Sequence, residues 1–161
     1  MSNPAQQIDP RGPRFTASVT LVVFAVVLLT APAPVGLVLL AAQTAFFAIG
    51  AARGVQFTPT AYVFKTFVRP RLGAPSHLED AAPPRFAQTV GLGFAVAALI
   101  GYLTEVTLLG QIAAGFALAA ATLNAVFGFC LGCEVYLLAK RVGSTTITST
   151  TIESTKEEVT A

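Results

Sequence analysis

The chain has 161 residues, enough for one domain. Hydrophobic residues make up 54% and charged residues only 11%, whereas soluble domains carry about 25% charged residues, so a soluble globular protein is excluded. The net charge of +2 is small, and no nucleic-acid partner is expected.

The charges also leave long gaps. None lies between Arg14 and Arg53, and only Glu105 and Glu134 lie between Arg85 and Lys140. A bilayer imposes such gaps, because a charge at its centre is costly. Residues 1–14 read as a cytoplasmic N-terminal segment. The first apolar run covers 15–31 and stops at Ala31-Pro32-Ala33-Pro34, which turns the chain. Arg11, Arg14 and that alanine-proline stretch imitate a signal peptide with its cleavage site. Retention is expected instead, since cleavage after Ala33 would leave Pro34 in the first position of the product.

The second run covers 35–52, the third 86–103 and the fourth 108–138. A span needs ~20 mostly apolar residues, with a lower limit of ~17. The first three sit near that limit, and the fourth must tilt, protrude or break. Thr104-Glu105 supplies the turn between the third and fourth. In the loop over 53–85, Thr58-Pro59 reads as an N-cap followed by proline at the first helical position. Tyr62, Val63, Lys65 and Phe67 would then lie on the membrane surface, with Arg69-Pro70-Arg71 at lipid phosphates. The plainer reading, an ordinary basic loop, is preferred. Residues 143–161 are rich in Ser and Thr and read as a disordered cytoplasmic tail.

Short motifs recur. Pro13-Arg14-Phe15 returns as Pro84-Arg85-Phe86, Leu40-Ala41-Ala42-x-Thr44 as Leu118-Ala119-Ala120-x-Thr122, and Gly50-xxx-Gly54 as Gly128-xxx-Gly132. A helical hairpin used twice is expected, over 15–52 and 86–138 within a transmembrane domain of 15–142. The two glycine pairs read as seams of close helix packing. Gln43, Gln111 and Asn124 read as hydrogen-bonding groups between helices. All ten basic residues fall in three regions, and neither hairpin turn contains one. The positive-inside rule makes those regions cytoplasmic. The expected fold is therefore all-α: an integral membrane bundle of four transmembrane helices from two tandem hairpins. Both termini face the cytoplasm, and the inner or plasma membrane is the expected location.

Chemistry concentrates in Cys130-Leu131-Gly132-Cys133-Glu134. In an unbroken helix, Cys133 would lie about 10 Å and Cys130 about 15 Å inside the boundary at Lys140. Residues three apart share a helix face, so both sulfurs and Glu134 point into one crevice. The functional reading is a membrane dithiol that cycles to disulfide, or handles sulfur, with Glu134 as proton partner. The bland reading is two small residues at a tight helix crossing. No cation adjoins the pair in sequence, burial and Glu134 would both raise the thiol pKa, and the pair is not visibly at a helix start. By the motif register, Ala52 and Val55 are the first hairpin's equivalents of the cysteines. His77 is the single histidine, and no metal site, phosphate loop or haem pair is spaced for. No cofactor and no metal are expected.

The elements Asp9-Pro10-Arg11-Gly12-Pro13-Arg14-Phe15, Arg69-Pro70-Arg71-Leu72, Glu79-Asp80-x-x-Pro83-Pro84-Arg85-Phe86-Ala87-Gln88 and Gly128-Phe129-Cys130-Leu131-Gly132-Cys133-Glu134 resemble a bacterial, often actinobacterial, membrane family. It is the family called domain of unknown function 4395. The resemblance covers about 8–141. It implies a multi-span membrane protein with the Phe-Cys-x-x-Cys element among its marks. It also implies partnership with thioredoxin-like or sulfurtransferase proteins, besides the lipid bilayer. The leading reading is a membrane thiol-redox or sulfur-handling protein. The alternative is a non-catalytic scaffold subunit or small-solute transporter whose cysteines only pack.

Overall fold

Proline stands in the first turn of several helices of this chain, and glycine just past the last turn of several. The computed structural model describes residues 7–75 and 77–142. The Ser/Thr-rich tail over 143–161 lies outside the described residues, as do residues 1–6. In chain order the helices are α1 (Arg11–Thr30), α2 (Pro34–Arg53), α3 (Pro59–Val63), α4 (Arg69–Leu72), α5 (Ala82–Leu103), α6 (Thr107–Phe127) and α7 over residues 131–142. A π-helical stretch, Phe64–Val68, joins α3 to α4. Two short strands, β1 (Gln7–Ile8) and β2 (Glu79–Asp80), pair antiparallel.

Helices α1, α2, α5 and α6 are long and apolar enough to cross a membrane. Each of the first three runs past its apolar stretch, because Arg11, Arg14, Arg53 and Arg85 are themselves helical. They are therefore 20, 20 and 22 residues long rather than marginal. The fourth apolar stretch breaks. Gly128 adopts a left-handed conformation (φ 69°) and ends α6, and α7 begins three residues later. Gly128 N–H donates to Asn124 O (3.0 Å) and Phe129 N–H to Leu123 O (3.2 Å), which satisfies terminal carbonyls of α6.

The bundle alternates direction: α1 packs on α2 and α6, and α5 packs on α2 and α6. Large apolar side chains face outward, Leu29 (85% exposed) and Val38 (68%) among them. The interior holds Phe24, Val27, Leu40 and Phe47 among many small residues, including Ala95, Ala98, Ala113 and Ala114. Lipid tails are as apolar as leucine, so helices associate through close approach of small residues and internal hydrogen bonds. Buried Gln43 supplies one such bond as expected, donating from Nε2 to Thr20 Oγ1 across α2 and α1 (3.2 Å).

The hairpins carry matching devices. Arg14 donates to the carbonyls of Ala125 (3.0 Å) and Val126 (2.9 Å), the end of α6. Arg85 donates to those of Ala51 and Ala52 (both 2.8 Å), the end of α2. Each hairpin thus caps the other. Asp9 Oδ1 accepts from the Arg11 N–H, and Asp80 Oδ1 from the Ala82 N–H, both at 3.0 Å. Ile8 pairs with Glu79, its counterpart 71 residues on. Phe15 meets Phe64, and Phe86 meets Tyr136, both with ring centroids 5.8 Å apart.

The buried faces of α2 and α6 match at a spacing other than that of the short motifs. Gly36, Leu40, Gln43 and Phe47 correspond to Gly110, Ala114, Ala117 and Ala121, a spacing of 74. The motif alignment uses 78, about one helical turn more. Apolar helices match themselves after a shift of one turn, so composition alone does not separate the two registers. The Gly-xxx-Gly pairs are accordingly not continuous seams. Gly54 (φ 111°) and Gly128 end helices, whereas Gly50 packs on Gln88 and Gly132 on Ala87.

The middle segment is helical rather than an ordinary loop. Thr58 caps α3, its hydroxyl accepting from the Ala61 N–H (3.2 Å), and Pro59 follows at the first position. Tyr62 and Phe67 are exposed, whereas Phe64 is buried against Phe15. Thr58 Oγ1 also donates to Val55 O (2.8 Å) and meets Thr60 Oγ1, which in turn meets Thr16 Oγ1 on α1. Thr58→Ala is expected to cost about 0.5–2 kcal/mol, the usual range for a lost cap. A lowered thermal midpoint of the solubilised protein, restored by Thr58→Ser, is the readout.

Candidate functional site

Cys130 closes the three-residue break after α6, and Cys133 lies in the first turn of α7. Both therefore follow the membrane-spanning segments and lie at the bundle end that carries Arg14 and Arg85. This corrects the expectation of an unbroken helix running through the thiols. The apolar run continues past residue 128, but Gly128 stops the helix.

The break also supplies the helix start that the sequence does not display. Cys130 occupies the N-cap position of α7: its carbonyl accepts from the Glu134 N–H (3.1 Å). The Cys133 thiol and the Cys133 and Gly132 backbone N–H groups lie beside its sulfur. The Cys133 thiol, aided by those N–H groups, pulls the Cys130 pKa down to about 7 against burial and the Glu134 charge. Cys133 moves the other way. Its hydrogen bond to Cys130, burial, and the negative charges of Cys130, Glu79 and Glu134 all raise it. Burial and Glu134 push both thiols up, as expected, but for Cys130 the hydrogen bonds outweigh them. Hydrogen bonds at a helix start do the work that a nearby cation would do.

The same geometry has a parallel in the first hairpin. Thr58 caps α3 through Ala61, and Cys130 caps α7 through Cys133, with a spacing of 72 in both cases. Thr58 and Ala61, unlike Ala52 and Val55, thus hold places in α3 like those of the cysteines in α7. Thr60 faces Thr16 on α1, and Gly132 faces Ala87 on α5, where a Cβ at residue 132 would lie 2.7 Å from Ala87 Cα. The first hairpin therefore has a hydroxyl cap where the second has a dithiol.

The cysteines are free and half-buried. They line a cavity of about 790 Å³ between α1, α5, α6 and α7. Glu134 is exposed and lines it too, with both cysteines. The mouth adds Arg11, Arg14, His77, Glu79 and Asp80, a polar set that sequence spacing does not reveal. His77 Nε2 lies 3.2 Å from Glu79 Oε1. Asn124 lines the wall, whereas Gln111 is exposed and turned away from the interior. The deeper wall is apolar, with Phe47, Val90, Phe94 and Phe116. Among the described residues, no group of three or more His, Cys, Asp and Glu is placed to hold a metal ion.

Two neighbouring thiols at a helix start, beside a cavity, can form a disulfide and open it again. Mid-helix cysteines three apart are held too far apart for the Cβ separation of about 3.8 Å that a disulfide needs. Here the chain at Cys130 is already outside the helix, so less must unwind. Neither a curated protein nor a solved structure matches the chain. The family model described as Domain of unknown function (DUF4395) matches residues 8–141, most of the length and every element of the bundle and site, and the chain belongs to that family.

Proposed function

We propose that this protein is a membrane dithiol carrier in which Cys130 and Cys133 cycle between thiols and a disulfide. The observation that carries this reading is the placement of Cys130 as N-cap of α7 with Cys133 beside it in the first turn. A thiolate, not a thiol, is the nucleophile, and a helix start is where thiolates are favoured. The Cys130 thiolate attacks one sulfur of a partner disulfide, forming a mixed disulfide and expelling the partner's first thiol. Cys133 then attacks Cys130 Sγ, closing the internal disulfide and expelling the second thiol. Two electrons and two protons pass to the partner, and the reverse sequence returns them. A thioredoxin-like protein suits this exchange, and Glu134 at the cavity mouth serves as a proton acceptor for Cys133.

Positive-inside placement puts the thiols, Arg14 and Arg85 on the cytoplasmic side of the inner membrane. The reciprocal arginine caps, the paired strands and the shared 71–74-residue spacings support descent of the hairpins from one duplicated unit. In that history the second copy gained the dithiol where the first kept Thr58 and Ala61.

The test is a two-step mass tag in native membranes. Free thiols are blocked, disulfides are reduced, and newly exposed thiols are tagged. Brief treatment with a small disulfide oxidant should tag both cysteines together, and dithiothreitol should reverse it. Thiols that stay reduced throughout, with Cys→Ala variants indistinguishable from wild type, would leave only packing residues in a membrane scaffold.

A further inference from the structure

The cavity beside the thiols joins two kinds of surface. Its polar lining includes Gln88, packed against Gly50 of α2, and Asn124 in the last turn of α6. Its apolar lining is aromatic and aliphatic, with Phe47, Val90, Phe94 and Phe116. Phe94 and Phe116 stack with centroids 6.0 Å apart. Phe116 and Val90 are 60% and 38% exposed, so the apolar end is accessible from the hydrocarbon side of the bundle. Phe116 precedes Gly128 by twelve residues of α6, about 18 Å at the helical rise. The volume, about 790 Å³, lies within the usual range of ligand pockets, roughly 300–1,000 Å³.

A site with a polar head, an aromatic throat and an opening to lipid fits an amphiphile with a flat ring and an apolar tail. The dithiol at its head restricts the chemistry to a two-electron acceptor. The geometry points to a membrane-soluble quinone as the occupant of this cavity, reduced there by Cys130 and Cys133. This proposal rests on the dithiol reading and gives it a second partner. Two S–H bonds break and one S–S bond forms. Both electrons and both protons pass to the quinone, whose carbonyl oxygens become the hydroxyls of a quinol. The amides of Gln88 and Asn124 donate to those oxygens, and the tail lies along Phe94 and Phe116.

The experiment uses purified, reduced protein in lipid nanodiscs, freed of reductant, with a decyl-substituted benzoquinone as probe. Loss of quinone absorbance and thiol tagging are followed together. The expected result is one quinone reduced per disulfide formed, at a rate that saturates with quinone concentration. Ala120→Phe adds bulk at a half-buried cavity wall. It should slow the quinone reaction at least tenfold while leaving oxidation by a small water-soluble disulfide within twofold. A rate that rises linearly without saturation, or equal quinone rates in wild type and Ala120→Phe, would overturn the quinone site. Failure of the small disulfide to oxidise the wild-type pair would instead overturn the dithiol reading beneath it. Saturation needs no variant, so the test stands even if Ala120→Phe does not fold.

Discussion

Gly101→Leu is expected to leave little folded protein in the membrane. A Cβ at residue 101 would lie 2.5 Å from Gly110 N and 2.9 Å from its Cα, with Leu109 C at 3.1 Å. These are backbone atoms of α6, which no rotamer change can move aside. Helices α5 and α6 would have to separate, and the small-residue seam of Ala98, Ala113 and Ala114 would open with them. Overpacking a core typically costs about 1–3 kcal/mol, where side chains and backbone can shift to absorb it. A backbone-to-backbone contact lacks that relief, so the cost lies at or above the top of that range. Gly93→Leu is the control, since a Cβ at residue 93 of the same helix meets nothing within 4 Å. Yield of monodisperse solubilised protein and its thermal midpoint should fall sharply for Gly101→Leu and stay near wild type for Gly93→Leu. Equal behaviour of the two variants would show that α5 and α6 do not touch at Gly101 and Gly110.

The four spanning helices were legible because bilayer cost acts residue by residue, and the charge gaps record it. The hairpin turns were legible for a similar reason, since Pro32 and Pro34 restrict the backbone locally and Thr104-Glu105 interrupts an apolar run. The end of α6 was not. Residues 128–138 remain mostly apolar, and hydropathy reports solvent preference rather than backbone conformation. The left-handed turn at Gly128 changes direction without changing polarity. The roles of Arg14 and Arg85 were hidden differently. As charges they suggested orientation, but as caps they act on carbonyls 111–112 and 33–34 residues away. Cys130 escaped notice as an N-cap because Ser, Thr, Asp and Asn are the residues that signal one. Thr58-Pro59 carries that signal, although the basic composition of the segment favours the reading of an ordinary loop. The 72-residue spacing from Thr58 to Cys130 would have transferred the cap to the dithiol, had the register been set by it rather than by Leu40 and Leu118.

The two cysteines should respond unequally to removal of their neighbour. In the wild type the Cys130 pKa is about 7, so its alkylation rate should be half-maximal there, rising above that pH and falling below it as the thiolate is protonated. Cys133→Ala removes the thiol donor that most lowers Cys130. Two backbone N–H donors still lower it while burial and Glu134 still raise it, so the midpoint should rise to the neighbourhood of the ordinary cysteine value near 8.5. A full shift to that value would cut the thiolate fraction at pH 7 by about 15-fold, and a partial shift by less. Cys130→Ala has a different consequence. It frees Cys133 of the partner that most raises it, but burial, Glu79 and Glu134 remain. Its midpoint should therefore stay at or above the ordinary value, leaving alkylation at pH 7 at least about 15-fold slower than Cys130 in the wild type. Neither change removes much volume, so both variants should insert and elute like wild type. Rates measured with a small neutral alkylating agent from pH 5.5 to 10, with each site resolved by peptide mass, decide the matter. A wild-type Cys130 midpoint near 8.5, or one unmoved by Cys133→Ala, would show that the helix start and the neighbouring thiol do not activate Cys130.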